Sequence, residues 1–169
     1  MTHPPAVEEL LDSLAGGLKS LLAGTDPAAV GMIGVHTGGV WLAERLHERL
    51  GLSLPMGRLD ISFYRDDFSR IGMHPQVRPS SLPFDVEGRT VVLVDDVLYT
   101  GRTVRAALNE IFDYGRPACV RLAVLVDRDA RELPIAADVT GTRLRLRPDQ
   151  EVKLRGPDPL ELTVGRKAP

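Results

Sequence analysis

The feature that most restricts the fold is the stretch VVLVDDVLYTGRT at residues 91–103. Val91, Val92, Leu93 and Val94 form a short unbroken apolar run, the pattern of a strand buried on both faces. A strand of that kind belongs in an α/β sheet with helices over each side. Asp95 and Asp96 follow at its carboxyl end, where open α/β sheets hold their ligands. Thr100, Gly101, Arg102 and Thr103 make a hydroxyl-bearing turn. From residue 103 to 114 the pattern is helical, with Val104, Ala107, Leu108 and Ile111 on one stripe.

Each part has a physical job. A loop that opens a helix points free backbone N–H groups and the positive end of the helix dipole at an anion. Gly101 removes the Cβ that would block close approach, and Thr100 and Thr103 add hydroxyl donors. Two adjacent carboxylates accept hydrogen bonds from vicinal sugar hydroxyls, or act on Mg²⁺ through its water shell. Together the two halves describe a site for a ribose 5-phosphate. A Walker B strand would also end in acidic residues, but its GxxxxGK[ST] partner loop is nowhere in the chain.

This stretch, Val94, Asp95, Asp96, Val97, Leu98, Tyr99, Thr100, Gly101, Arg102 and Thr103, resembles the phosphoribosyl pyrophosphate (PRPP) signature of type I phosphoribosyltransferases. The longer run VDDVLYTGRTVRAAL is similar to the PyrR family of uracil phosphoribosyltransferases and pyrimidine-operon regulators. The resemblance implies a type I phosphoribosyltransferase fold: a central, mostly parallel sheet flanked by helices, with a β flap and a small hood. It implies a single domain over residues 1–169, with the flap at about 62–83 and the hood and C-terminal strands at about 127–169. It further implies uracil and PRPP as substrates, UMP and pyrophosphate as products, Mg²⁺ as cofactor near Asp95 and Asp96, and those two aspartates as catalytic residues.

Ahead of the central motif, residues 6–22 carry Val7, Leu10, Leu11, Leu14, Leu18 and Leu21 at helical spacing. Gly16 and Gly17 weaken its middle, so a helix or a broken helix is expected. Residues 30–35 (VGMIGV) read as a buried strand. His36, Thr37, Gly38 and Gly39 then make a tight loop before a helix over about 40–50. A glycine pair between strand and helix is a second anion cradle. By resemblance Thr37, Gly38 and Gly39 are the pyrophosphate loop, although PyrR-like sequences often carry Arg where Gly38 stands. Without that charge, backbone amides are left to hold the pyrophosphate.

Residues 54–64 (LPMGRLDISFY) read as a strand broken near Gly57. The long connection that follows resembles the mobile flap of the superfamily, with Arg65, Asp66 and Asp67 as candidate residues. Physically, a lid of this kind shields a cationic sugar intermediate from water. His74 has no paired ligand nearby in the sequence, so metal binding is not expected there. Residues 120–126 form another buried strand ending in Asp127 and Arg128. The segment DRDARELPIAAD resembles the base-recognising hood of PyrR proteins, which makes Val126, Asp127 and Arg128 candidates there.

From Val139 the resemblance fades, and alternation at Leu144, Leu146, Val152, Leu154, Leu160, Leu162 and Val164 predicts two or three short antiparallel strands. Arg143, Arg145, Arg147, Lys153 and Arg155 are expected along one side, as a solvated edge. Tyr99 bears on the substrate. Resembling 6-oxopurine transferases carry Asp at that point, and a phenol cannot supply a carboxylate, so a pyrimidine is expected.

Composition supports this frame. A length of 169 residues accommodates one sizeable core, and 43% hydrophobic with 26% charged residues is ordinary for a globular chain. Apolar runs are strand-sized and the N-terminus lacks a basic secretory start, so neither a membrane span nor export is expected. Cys119 alone excludes an internal disulfide and fits a cytoplasmic location; a buried structural thiol is expected. Net charge is −2, which gives no general support for RNA binding. A regulator that binds RNA and senses nucleotides is therefore the second reading. By analogy with relatives, a homo-oligomer is expected.

Overall fold

The structure is a computed structural model that describes residues 3–61 and 80–169. Five parallel strands form the central sheet in the order β2-β1-β3-β4-β5. They are β1 (Val30–Val35), β2 (Gly57–Leu59), β3 (Thr90–Leu98), β4 (Cys119–Arg128) and β5 (Val139–Leu144). Among the described residues three α-helices accompany them, α1 (Val7–Leu21), α2 (Gly38–Leu50) and α3 (Arg102–Tyr114). A separate antiparallel hairpin, β6 (Gln150–Arg155) with β7 (Glu161–Arg166), follows. β3 is central, as its apolar run predicts.

Alternate side chains of the central strands enter opposite layers. Met32, Val92, Val94, Ala123 and Leu125 pack with Leu11, Leu14 and Leu18 of α1 and with Leu42 and Leu46 of α2. Ile33, Val91, Leu93, Leu122 and Val124 pack with Val104, Ala107 and Ile111 of α3. Each such fully buried aliphatic side chain stabilises by roughly 1.5–3 kcal/mol. The hairpin joins the first layer through Val152 and Leu162.

Helix α1 runs unbroken through its glycines. A Cβ on Gly17 would lie 2.6 Å from Val139 Cγ1, so the missing side chain lets α1 close onto the start of β5. Arg49 of α2 then clasps α1 through Glu8 at 2.6 Å and Asp12 at 3.6 Å. Helix α2 begins at Gly38, two residues earlier than its apolar pattern predicts. Cys119 is half-buried, with Sγ 3.7 Å from Thr90 Oγ1.

The C-terminal strands differ from expectation in one respect. β5 is not an antiparallel strand but extends the main sheet in parallel beside β4. Asp138 fixes this by a double tether, its N–H donating to Leu122 O and its carboxylate accepting from Leu122 N, both at 2.8 Å. β6 and β7 pair antiparallel, as expected. The expected strand over 54–64 is described to Ile61 and is paired only at Gly57–Leu59, with an antiparallel bridge from Arg58 to Ser81. Residues 62–79, including the flap candidates Arg65, Asp66 and Asp67 and also His74, lie outside the described residues.

Candidate active site

The carboxyl ends of β1, β3 and β4 meet at one edge of the sheet, and of the residues singled out in the sequence Thr37–Gly39, Val94–Thr103 and Val126–Arg128 belong to these ends and the turns after them. β3 runs on through the acidic pair to Leu98, with Asp95 opposite Val124 and Leu98 opposite Asp127. Asp95 is buried at 3% exposure and its Oδ1 accepts from Asp96 N at 2.8 Å. Asp96 is half-buried and its Oδ1 accepts from Val97 N at 2.8 Å. These backbone donors fix both carboxylates at the end of the strand.

The turn beyond β3 is built for close approach. Gly101 caps α3 at φ 95°, ψ −5°, a left-handed conformation that favours glycine. A Cβ there would also press on Ile135 and Leu133 at 3.1–3.4 Å. Gly101 supplies no side-chain cap, so apart from Arg102 N the first N–H groups of the helix and its dipole are left for a ligand. Thr100 Oγ1 accepts from Arg102 N at 3.3 Å, and Thr100 O accepts from Glu132 N and Leu133 N at 2.9 and 3.1 Å.

The Thr37–Gly38–Gly39 turn packs directly against the acid pair. A Cβ on Gly39 would fall 2.5 Å from Val94 O and 3.1 Å from Asp95 Cα. A Cβ on Gly38 would run into the Asp96 carboxylate, with Asp96 Cγ only 2.9 Å away. Two glycines therefore let the start of α2 reach the end of β3, and the space a side chain at 38 would need is filled by Asp96. The His36–Thr37 peptide bond is cis.

A cavity of about 750 Å³ opens over this edge. Its floor is residues 95–104, and its far wall is Arg128 together with Glu151, Lys153 and Arg155 of β6 and Lys167 beyond β7. Sequence reasoning missed that wall. The alternation of Val152 and Leu154 with Lys153 and Arg155 announced a two-faced strand, but nothing local said which site the charged face would meet. The other arginines of the expected basic edge are placed elsewhere: Arg145 lies 3.9 Å from Asp129 and Arg147 3.1 Å from Asp149. The Arg147 hydrogen bond holds the Asp149 carboxyl below the ordinary carboxylate range.

Of the expected hood residues, Val126 is core, whereas Asp127 and Arg128 take distinct parts. Asp127 accepts from Arg131 Nη2 at 2.6 Å. Arg131 also donates to Tyr99 O at 2.8 Å, Ile135 O at 2.8 Å and Arg128 O at 3.2 Å. It thus braces the end of β4 against the turn that follows β3. The Arg128 guanidinium lies 4.1 Å above the Tyr99 ring, whose centroid is 5.9 Å from Lys167 Nζ.

Comparison with known proteins agrees with this geometry. The phosphoribosyl transferase domain model matches residues 4–158. A bifunctional protein PyrR of Nitrosococcus oceani is 61% identical over 160 residues, covering 94% of this chain and 90% of that protein. One from Pseudomonas aeruginosa is 56% identical over 158 residues, covering 94% and 93%. In three dimensions the chain is similar to a hypoxanthine-guanine phosphoribosyltransferase of Bacillus anthracis, with a TM-score of 0.69, 16% identity, and coverage of 89% and 86%. A hypoxanthine phosphoribosyltransferase of Staphylococcus aureus gives a TM-score of 0.67 at 18% identity, with coverage of 89% and 80%. These two likenesses establish the type I fold. The chain belongs to the phosphoribosyltransferase family and, within it, to the group of bifunctional PyrR proteins.

Proposed function

We propose that the protein transfers the 5-phosphoribosyl group of PRPP to N1 of uracil, giving UMP and pyrophosphate. The observation that carries this is the Asp95–Asp96 pair and the α3 start lining one cavity, with the Gly38–Gly39 turn packed against the acid pair. Thr100, Thr103 and the first amides of α3 bind the 5-phosphate. Asp95 and Asp96 orient the ribose hydroxyls and stabilise positive charge that develops at the anomeric carbon. Amides of Gly38 and Gly39 take the departing pyrophosphate, a role for which the absence of side chains is the requirement.

The donor set fits Mg²⁺ in one way. Among the described residues no three His, Cys, Asp or Glu side chains converge, so an all-protein cage is not available. Mg²⁺ keeps waters and substrate phosphates and needs only one or two carboxylates, which Asp95 and Asp96 supply. Held there by Asp95 and Asp96, it would supply charge neutralisation for the pyrophosphate leaving group.

Incubating purified protein with PRPP, Mg²⁺ and uracil, hypoxanthine or guanine tests the proposal. UMP formation with no purine nucleotide is expected; purine turnover or no turnover at all would reject it. The relatives' name, bifunctional protein PyrR, favours a second activity, and the sequence resemblance to pyrimidine-operon regulators makes RNA-binding attenuation of pyrimidine genes the second reading. A salt-sensitive mobility shift of a pyr leader hairpin is its test. Among the described residues no helix is long and apolar enough to cross a membrane, and we expect a cytoplasmic homo-oligomer. Phe112 and Tyr114 of α3, both half-exposed, offer apolar surface for association.

A further inference from the structure

Arg128 is a buried cation with which no described carboxylate pairs. It is 7% exposed and lines the cavity. Among the described residues its side chain makes one hydrogen bond, from Nη2 to Arg147 O at 3.5 Å, and no carboxylate pairs with it. A guanidinium carries five N–H donors in its plane, and those Arg128 does not use within the protein open to the cavity. Its face rests on the Tyr99 ring at 4.1 Å, which orients the plane and leaves the in-plane donors for another acceptor. Residue 99 adjoins the 5-phosphate turn and Leu98 pairs with Asp127, so Arg128 stands beside that turn at the end of the neighbouring strand.

We propose that Arg128 reads the base. It donates N–H bonds to a uracil carbonyl oxygen and holds the negative charge that the ring carries once N1 has lost its proton. This rests on the uracil-transfer reading above. The step balances: the N1 proton leaves to solvent, the freed pair forms the N1–C1 bond, and the C1–O bond breaks with its pair going to pyrophosphate. Arg128 takes no proton; it is a fixed cation whose charge favours the anionic nucleophile. Stacking on Tyr99 keeps it from swinging toward either phosphate subsite.

The test is steady-state kinetics of wild type, Arg128→Gln and Arg128→Lys across pH, with PRPP binding and thermal melting measured on the same preparations. In Arg128→Gln the KM for uracil should rise by about 10- to 100-fold while PRPP affinity stays as in wild type. The alkaline rise of kcat/KM for uracil should move up by at least about one pH unit, because the anion loses its neighbouring cation. Arg128→Lys should return the pH dependence toward wild type and leave KM raised, since charge is kept and the planar fork is lost. Should Arg128→Gln fail to fold, the lysine variant alone decides through its uracil KM. An unchanged uracil KM, or a loss confined to PRPP, overturns the proposal. A raised KM with an unmoved pH limb overturns the charge-holding role. Wild-type protein that binds PRPP but makes no UMP would instead reject the uracil reading on which it stands.

Discussion

Replacing Gly38 by alanine adds one methyl group and should disable the donor site. The new Cβ would lie within 3.0 Å of Asp96 Cβ and 2.9 Å of its Cγ, and would overlap the carboxylate oxygen itself. Asp96 must then leave the position where Val97 N holds it at 2.8 Å. A displaced carboxylate would lose the hydrogen bond to the ribose proposed above, a charge-assisted contact of about 1.5–3 kcal/mol. At about 1.4 kcal/mol per decade that is roughly a 10- to 150-fold loss of PRPP affinity. Stability should change little, because Asp96 is half-buried and can turn toward water. Isothermal titration of PRPP with Mg²⁺ into Gly38→Ala measures the first quantity and a melting curve the second. Gly38→Arg, the side chain common in PyrR-like sequences, meets the same obstruction before its charge can help and should bind no better than the alanine variant. Alanine protein that binds PRPP as wild type does, or arginine protein that binds it more tightly, would refute this reasoning.

Other substitutions probe the supports of the site. Gly101→Ala forces a side chain into φ 95° and against Ile135 at 3.1 Å, and should cost about 1–3 kcal/mol of stability and raise the KM for PRPP above that for uracil. Arg131→Gln removes the Asp127 pair at 2.6 Å and the tether to Tyr99 O; a loss of about 2–3 kcal/mol, or roughly 4–12 °C in Tm, should be seen by calorimetry. Gly17→Leu should push α1 from β5, where a Cβ already meets Val139 Cγ1 at 2.6 Å, and lower Tm without altering the uracil KM relative to that for PRPP.

The parts of the fold legible in the sequence are those written in contiguous residues. VGMIGV and VVLV can only be buried strands, and the glycine and threonine turns after them mark the helices α2 and α3. The same contiguity puts Asp95–Asp96 and Thr100–Thr103 on one cavity, where we propose the donor binds. β5 was not legible as a sheet strand, because VTGTRL alternates like an exposed hairpin. Its place depends on Asp138 finding Leu122 and on Gly141 lying against Leu125 O, pairings between residues far apart in the chain. The cavity wall was hidden for the same reason. Lys153, Arg155 and Lys167 look like solvated charges until the hairpin folds back over β3, and the Arg128 stack on Tyr99 joins two strands. The missing arginine at position 38 is the converse case: the sequence shows the loss, and only the structure shows Asp96 filling the space.

The central claim is that paired acids and a threonine-lined helix start grip opposite ends of PRPP. Calorimetric titration of PRPP with Mg²⁺ into wild type and into the Asp95→Asn, Asp96→Asn double variant addresses it without depending on the acceptor base. Saturable one-to-one binding by wild type and a loss of at least about 100-fold in the double variant are predicted. Equal affinity in the two proteins would contradict the account.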